Sequence, residues 1–469
     1  MNLSQIVETL EKELISNTQA LIRIKSTEEE PYEDMPFGQG VQASLEFTLN
    51  LCESLGFRTK NIDNQVGYAE IGSGEELIGI LAHLDVVPAG DLSTWDHPPY
   101  EAIIEDGKIY GRGTIDDKGP AMAGIYAMKA VLDSDIPLNK RIRIIFGLNE
   151  ETHWKSINYY LEHEEIPSLA FTPDADFPVI HGEKGILVFN MNATLEEALA
   201  DGGIEILSIK GGNRPNMVPD FAEATLIENK PFKHILETYS EEKNIKIDYV
   251  KENNHVKIKV HGVSSHGAKP ETGVNAITHL LDLLNLFDLQ IGDLANFIRF
   301  FSKHIGTEVN GENIGCHLSD DLSGPLTFNV GTIDCNQEHM SLGINVRYPI
   351  TNTADDVYNG ITEVLNKTVY NNKNYITLEK KDHMQPIYFE KDHPLIKALM
   401  TVYKKHTGDT SEPITIGGGT YARSMPNAVA FGPLLKHREE TAHQANEHIY
   451  IEDLILATKI YADALKALL

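Results

Sequence analysis

The chain has 469 residues, more than one ordinary hydrophobic core accommodates, so two domains are the default. Lys and Arg total 40 against 69 Asp and Glu, and the formal net charge of −29 argues against a nucleic-acid or anionic-membrane surface. No apolar run approaches the ~18 residues of a spanning helix. Glu8, Glu11 and Glu13 stand where a targeting segment would be basic and then apolar. Cys52, Cys316 and Cys335 have no CxxC spacing and read as buried free thiols. A cytoplasmic protein with no membrane or nucleic-acid partner is expected.

In chain order, Leu3, Ile6, Val7, Leu10 and Leu14 recur at helical spacing. Leu45, Leu49, Cys52 and Leu55 form a second stripe, with Gly56 where a C′ glycine belongs. Residues 66–71 alternate as a strand. Residues 77–83 are a continuous apolar run, the pattern of a strand buried on both faces, and the run ends in His83 with Asp85 two positions on. Side chains two apart on a strand share a face. A carboxylate behind the imidazole can hold one ring nitrogen while the other takes a metal.

Asp106 and Gly107 mark a hairpin turn. Gly111, Arg112, Gly113, Asp116, Asp117, Lys118 and Gly119 then lead into a helix over about 121–132. The phosphate-loop pattern GxxxxGK[ST] is absent, and adjacent acids would repel a phosphate. A strand over 141–147 ends in Asn149, Glu150 and Glu151, and a short one over 169–171 ends in Asp174 and Asp176. Successive strand ends are thus expected to deliver His83, Asp116, Glu150 with Glu151, and Asp174. Ligands of open α/β sheets bind at the carboxyl ends of strands, and this mixture of acids and imidazole suits cations. Each acid alone reads as a solvated loop residue. Their recurrence at consecutive strand ends favours a metal site.

These motifs are followed by Arg347 with Tyr348 and Pro349, by Gly417, Gly418, Gly419 and Thr420 with Arg423, and by His443 with Asn446 and Glu447. In this order they resemble the co-catalytic metallopeptidases of the aminoacylase, carboxypeptidase G and succinyl-diaminopimelate desuccinylase family. The match runs nearly end to end and is most similar to the peptidase V branch of bacterial dipeptidases and its manganese-dependent relatives. The resemblance implies an α/β protein, a di-metal aminopeptidase-like catalytic domain with an inserted α+β lid. The expected divisions are catalytic 1–184, lid 185–383 and catalytic 384–469.

The resemblance also implies roles. His83 and Asp174 hold one metal, Glu151 and His443 the other, and Asp116 bridges them. Asp85 orients His83, Glu150 is the general base on the water bridging the metals, and the Asp116–Asp117 peptide is cis. Two divalent ions follow. Imidazole with carboxylates suits zinc first, and a carboxylate-rich set also suits manganese or cobalt. In the lid, His266 polarises the scissile carbonyl, Asn216 donates beside it, and Arg347 grips the substrate's C-terminal carboxylate in a two-pronged pair. Gly418, Gly419 and Thr420, after an apolar strand, read as a nest of backbone N–H groups for the same carboxylate. His261, His304 and His317 read as ordinary loop histidines, and Asp320 with Asp321 as a solvated turn, with a stray cation site as the alternative.

The implied activity is hydrolysis of unblocked dipeptides, β-alanyl ones included, with a small peptide as the partner. Asp174, Glu151 or Asp176 would receive the free amine. Dimeric members complete each site with a partner's lid residue. A doubled lid of about 200 residues, the size of a full domain, would supply it from the same chain, so a monomeric active unit is expected. An N-acyl-amino-acid deacylase or tripeptidase of the same family needs the same metals and stays open. So does a catalytically silent peptide-binding protein, against which the complete ligand set and Glu150 speak.

Overall fold

The apolar run ending in His83 is the strand Leu77–His83, buried along its whole length. It lies in the middle of a mixed sheet in this computed structural model, which describes residues 1–196, 198–199, 201–368 and 376–469. Seven of its nine strands are, in spatial order, Arg58–Ile62, Val66–Gly72, Arg141–Gly147, Leu77–His83, Leu169–Thr172, Ala428–Phe431 and Val179–Glu183. The four from Arg141–Gly147 to Ala428–Phe431 are parallel, and the flanking pairings are antiparallel. Three adjacent parallel strands therefore end side by side just before Glu150, at His83 and just before Asp174.

Packing explains the sequence patterns. The helix Lys118–Leu132 is apolar almost all round. It is enclosed by the sheet and by the helices Leu3–Ile22 and Ile451–Leu468, so no face of it needs to be polar. Gly124 permits the close approach: a Cβ there would stand 3.0 Å from Ile144 Cδ1. Asn2 and Gln5 form a reciprocal capping box on Leu3–Ile22. Gly56 ends Gln39–Ser54 with φ +91°. Asp106 and Gly107, both at positive φ, close the hairpin Ile103–Glu105/Lys108–Tyr110. The three cysteines are free and buried. Among the described residues no helix is long and apolar enough to cross a membrane.

The chain divides into two units, one of residues 1–181, 389–414 and 419–469, the other of residues 182–388 and 415–418. The expected divisions stood at 184/185 and 383/384. The first crossing falls earlier, at 181/182 within a strand, and the return later, at 388/389. Val179–Glu183 pairs at its start with Ala428–Phe431 and at its end with Ile387–Tyr388.

The second unit is an antiparallel sheet in the order Lys246–Glu252, His255–His261, Phe221–Ile227, Glu205–Gly211, Thr327–Cys335, His339–Tyr348, Gly185–Thr194 and Ile376–Met384. The helices Ala276–Asn285, Asp293–His304 and Ala354–Lys367 bury apolar stripes in its separate core. The first unit is α/β and the second α+β.

Candidate metal centre

At the end of its strand the His83 side chain is fully buried, and its Nδ1 donates to the Asp85 carbonyl oxygen at 3.0 Å. That fixes Nε2 as the free lone pair. Asp85 therefore orients His83 first through its main chain. Its carboxylate, expected to do this, is 3.5 Å from Nδ1. The carboxylate instead accepts from the backbone N–H of Glu150 at 3.0 Å and of Glu151 at 3.1 Å. Asp85 thus fixes the adjacent glutamates, which end the neighbouring parallel strand. The same turn is tied by Asn149, whose Oδ1 accepts from Ser156 N at 2.9 Å.

Asp116 does not come from a strand of the main sheet, contrary to the sequence expectation. It lies between the hairpin strand Lys108–Tyr110 and the helix Lys118–Leu132, and that hairpin belongs to a separate small sheet with His448–Tyr450. The Asp116–Asp117 peptide is cis, as the resemblance implied. Asp117 Oδ2 accepts from His83 N at 3.0 Å. Lys118 Nζ donates to the carbonyls of Leu21 and Ile24, at 3.2 and 2.6 Å.

Two groups of possible ligand atoms result, His83 with Asp116 and Asp174, and Asp116 with Glu151 and His443. Within each, all the atoms lie within 4.8 Å of one another. His83 Nε2 is 3.0 Å from Asp116 Oδ1 and 3.7 Å from Asp174 Oδ2. His443 Nε2 is 2.9 Å from Asp116 Oδ2 and 3.1 Å from Glu151 Oε2. The residues fit a metal pair on a specific ground. His83 Nε2 is buried without an aligned hydrogen-bond partner. With Nδ1 committed as the donor, its lone pair faces carboxylate oxygens, an arrangement that a cation between them satisfies.

The charges point the same way. Burial first raises the carboxyls of Glu150, Glu151 and Asp174 above the ordinary range, and crowding by Asp116 adds to each. A dication relieves that crowding. Glu150 belongs to neither ligand group. Its Oε1 accepts from Trp154 Nε1 at 3.1 Å.

Arg112 and Glu447 stand in the sequence motifs but were given no role there, and Tyr421 was not singled out. Glu447 Oε2 accepts from Arg112 Nη1 at 2.6 Å. Its Oε1 accepts from Gly113 N at 2.9 Å and Ile115 N at 3.0 Å. Burial, against the pull of Arg112, pushes the Glu447 carboxyl up to about 7. Tyr421 stands edge-on to His83 with ring centroids 6.1 Å apart. Gly147 makes room for it, since a Cβ there would lie 2.1 Å from Tyr421 Oη.

The pattern of peptidase family M20/M25/M40 matches residues 79–467. The chain belongs to that family. As an M20 member it is a hydrolase of a metal-dependent peptidase family. "Putative dipeptidase YtjP" of Bacillus subtilis is 39% identical to this M20 chain, over 98% of each. "Putative dipeptidase" of Staphylococcus epidermidis is 36% identical, over 98% of this chain and 97% of that one. Human carnosine dipeptidase 1 shares the fold with TM-score 0.58 at 16% identity, covering 100% of this chain and 98% of that one. Aminoacylhistidine dipeptidase from Vibrio alginolyticus does so with TM-score 0.58 at 15% identity, covering 97% and 95%.

The other predicted residues of this M20 chain lie in the second unit or at its edge. His266 and Asn216 sit on facing loops there: Met217 bridges to His266, and Gly267 N donates to the Asn216 carbonyl at 2.7 Å. Arg347 is buried on His339–Tyr348, with Nε donating to Asn345 Oδ1 at 2.9 Å. Gly417 and Gly418 do not adopt positive φ, so they do not form a nest of alternating hand. Thr420 Oγ1 caps the turn Tyr421–Ser424. Asp320 is not simply solvated. Its Oδ2 accepts from Thr351 N at 3.0 Å and its Oδ1 from Leu322 N at 3.1 Å.

Proposed function

We propose that this M20 protein is a metal-dependent dipeptidase that cleaves the peptide bond of unblocked dipeptides, β-alanyl dipeptides included. One observation carries the reading: two ligand groups meet at Asp116. The names of relatives matched over 98% of the chain direct it to dipeptides. His83, Asp116 and Asp174 would hold one ion and Asp116, Glu151 and His443 the other, zinc first, with manganese or cobalt also suited. When bound, such ions polarise the scissile carbonyl and bring the pKa of water towards ~7.

The chain's own residues do the rest. Asp85 holds Glu150 and Glu151 by their backbone N–H groups, so that adjacent glutamates serve different ends. Glu151 faces His443. Glu150, outside both ligand groups, takes a proton from the attacking water on a carboxylate oxygen and passes it to the leaving nitrogen. The indole of Trp154 fixes one Glu150 oxygen and leaves the other for that proton. His266 and Asn216 donate to the carbonyl oxygen as charge develops there. Arg347 receives the C-terminal carboxylate in a two-pronged pair.

Chelator treatment is expected to abolish activity, and zinc, manganese or cobalt added singly to restore it, on free dipeptides. The assay panel includes N-acetylated amino acids and tripeptides. Restored turnover on N-acetylated amino acids alone would replace the reading with the deacylase one. His266→Ala is expected to lower kcat by ~10²–10³ with KM little changed. Steady-state kinetics would contradict the donor role if only KM moved.

A further inference from the structure

The two ligand groups differ in how they are held. The His83 side chain is fully buried at the end of a core strand, whereas the His443 side chain is 54% exposed. His443 adopts φ +63° in a loop outside the regular elements. Asp116 likewise lies in a loop. The affinity of the group Asp116, Glu151 and His443 thus depends on whatever fixes those two loops to each other.

One buried residue does so. Glu447 comes four positions after His443. Its main-chain carbonyl accepts from Gly111 N at 2.9 Å. Its carboxylate accepts from Gly113 N and Ile115 N, at 2.9 and 3.0 Å, along the loop that leads into Asp116. The remaining oxygen pairs with Arg112, which is itself buried and stacks on Trp95 with its guanidinium carbon 5.3 Å from the ring centroid. Neither Glu447 nor Arg112 belongs to a ligand group. The His443 loop is also tied to a different segment, just after Leu92–Thr94. Asn446 accepts from Asp96 N at 2.7 Å and donates to Asp96 Oδ2 at 2.9 Å.

We infer that Glu447 is a positioning residue that locks the Asp116 loop to the His443 loop and thereby sets the affinity of one cation position, that of Asp116, Glu151 and His443. This rests on the two-metal reading above. Supporting partners of this kind alter metal affinity by ~10–100-fold, and the effect falls more on this position because two of its three ligands, Asp116 and His443, lie in the tied loops, against Asp116 alone in the group with His83 and Asp174.

The test is titration of full-length, chelator-stripped protein with Mn²⁺ or Zn²⁺ against a chromophoric chelator. Wild type is expected to take up two equivalents. Glu447→Gln should keep one near wild-type affinity and weaken the other by ~10–100-fold. His443→Ala should remove that same equivalent. Activity of Glu447→Gln should climb towards wild type as free metal is raised, which a purely structural defect would not allow. Asn446→Ala, which leaves the buried pair intact, should weaken the same equivalent by less.

Unchanged affinities in Glu447→Gln would overturn the inference. So would equal weakening of both equivalents in Glu447→Gln with neither altered in Asn446→Ala. Fewer than two equivalents in wild type would instead remove the two-metal reading beneath it.

Discussion

Glu150→Gln is expected to lower kcat by ~10²–10⁴ while the protein keeps its metal. The barrier would rise by about 3 to 5 kcal/mol. The reason lies in the division of labour at Asn149, Glu150 and Glu151. Asp85 fixes both glutamate N–H groups. Glu151 then belongs to the group with Asp116 and His443, and Glu150 to none. Glutamine has the shape of glutamate, and its amide oxygen can still accept from Trp154 Nε1. What it lacks is a carboxylate that can take a proton. Elemental analysis and steady-state kinetics on the same preparation separate the outcomes. An unchanged kcat would remove Glu150 as the base. Loss of metal would make it a ligand.

The parts of this centre legible in the sequence are those set by local pattern. The continuous run at residues 77–83 announces a strand buried on both faces, and His83 is its last residue. Glu150, Glu151 and Asp174 follow strands that are short, apolar and bounded, so their places at the sheet's end were readable. Asp116 was counted with the strand ends because a hairpin, marked by Asp106 and Gly107, precedes its loop. Nothing local says that Lys108–Tyr110 pairs with His448–Tyr450 in another sheet.

Long-range geometry hides the rest. Asp85 reaches the glutamate N–H groups only because Leu77–His83 and Arg141–Gly147 are parallel neighbours. Arg112 and Glu447 are 335 positions apart, and no local pattern shows that the fold pairs and buries them. The strand Arg58–Ile62 is polar and largely exposed, so no apolar pattern marks it. Ala428–Phe431 is only four residues long, too few for a period to stand out.

Asp116→Ala should cost both cations, because one carboxylate offers an oxygen to each ligand group. Oδ1 faces His83 and Oδ2 faces His443. Its removal leaves two protein ligands on either side, short of the three that keep an ion in a catalytic site with an open position. The loss should therefore exceed the ~10–100-fold expected of a supporting residue. Activity should also fall below that of Glu150→Gln, which keeps its metal. The fold should survive. The Asp116 side chain is partly exposed, and the loop's buried ties run through the backbone of Gly113 and Ile115 to Glu447. Elemental analysis after dialysis at a free-metal level that leaves wild type with two ions would check this. Retention of one full equivalent would mean that one position closes without Asp116. The two groups would then be independent sites that happen to be neighbours, and a mechanism that needs both ions on one substrate would lose its structural basis.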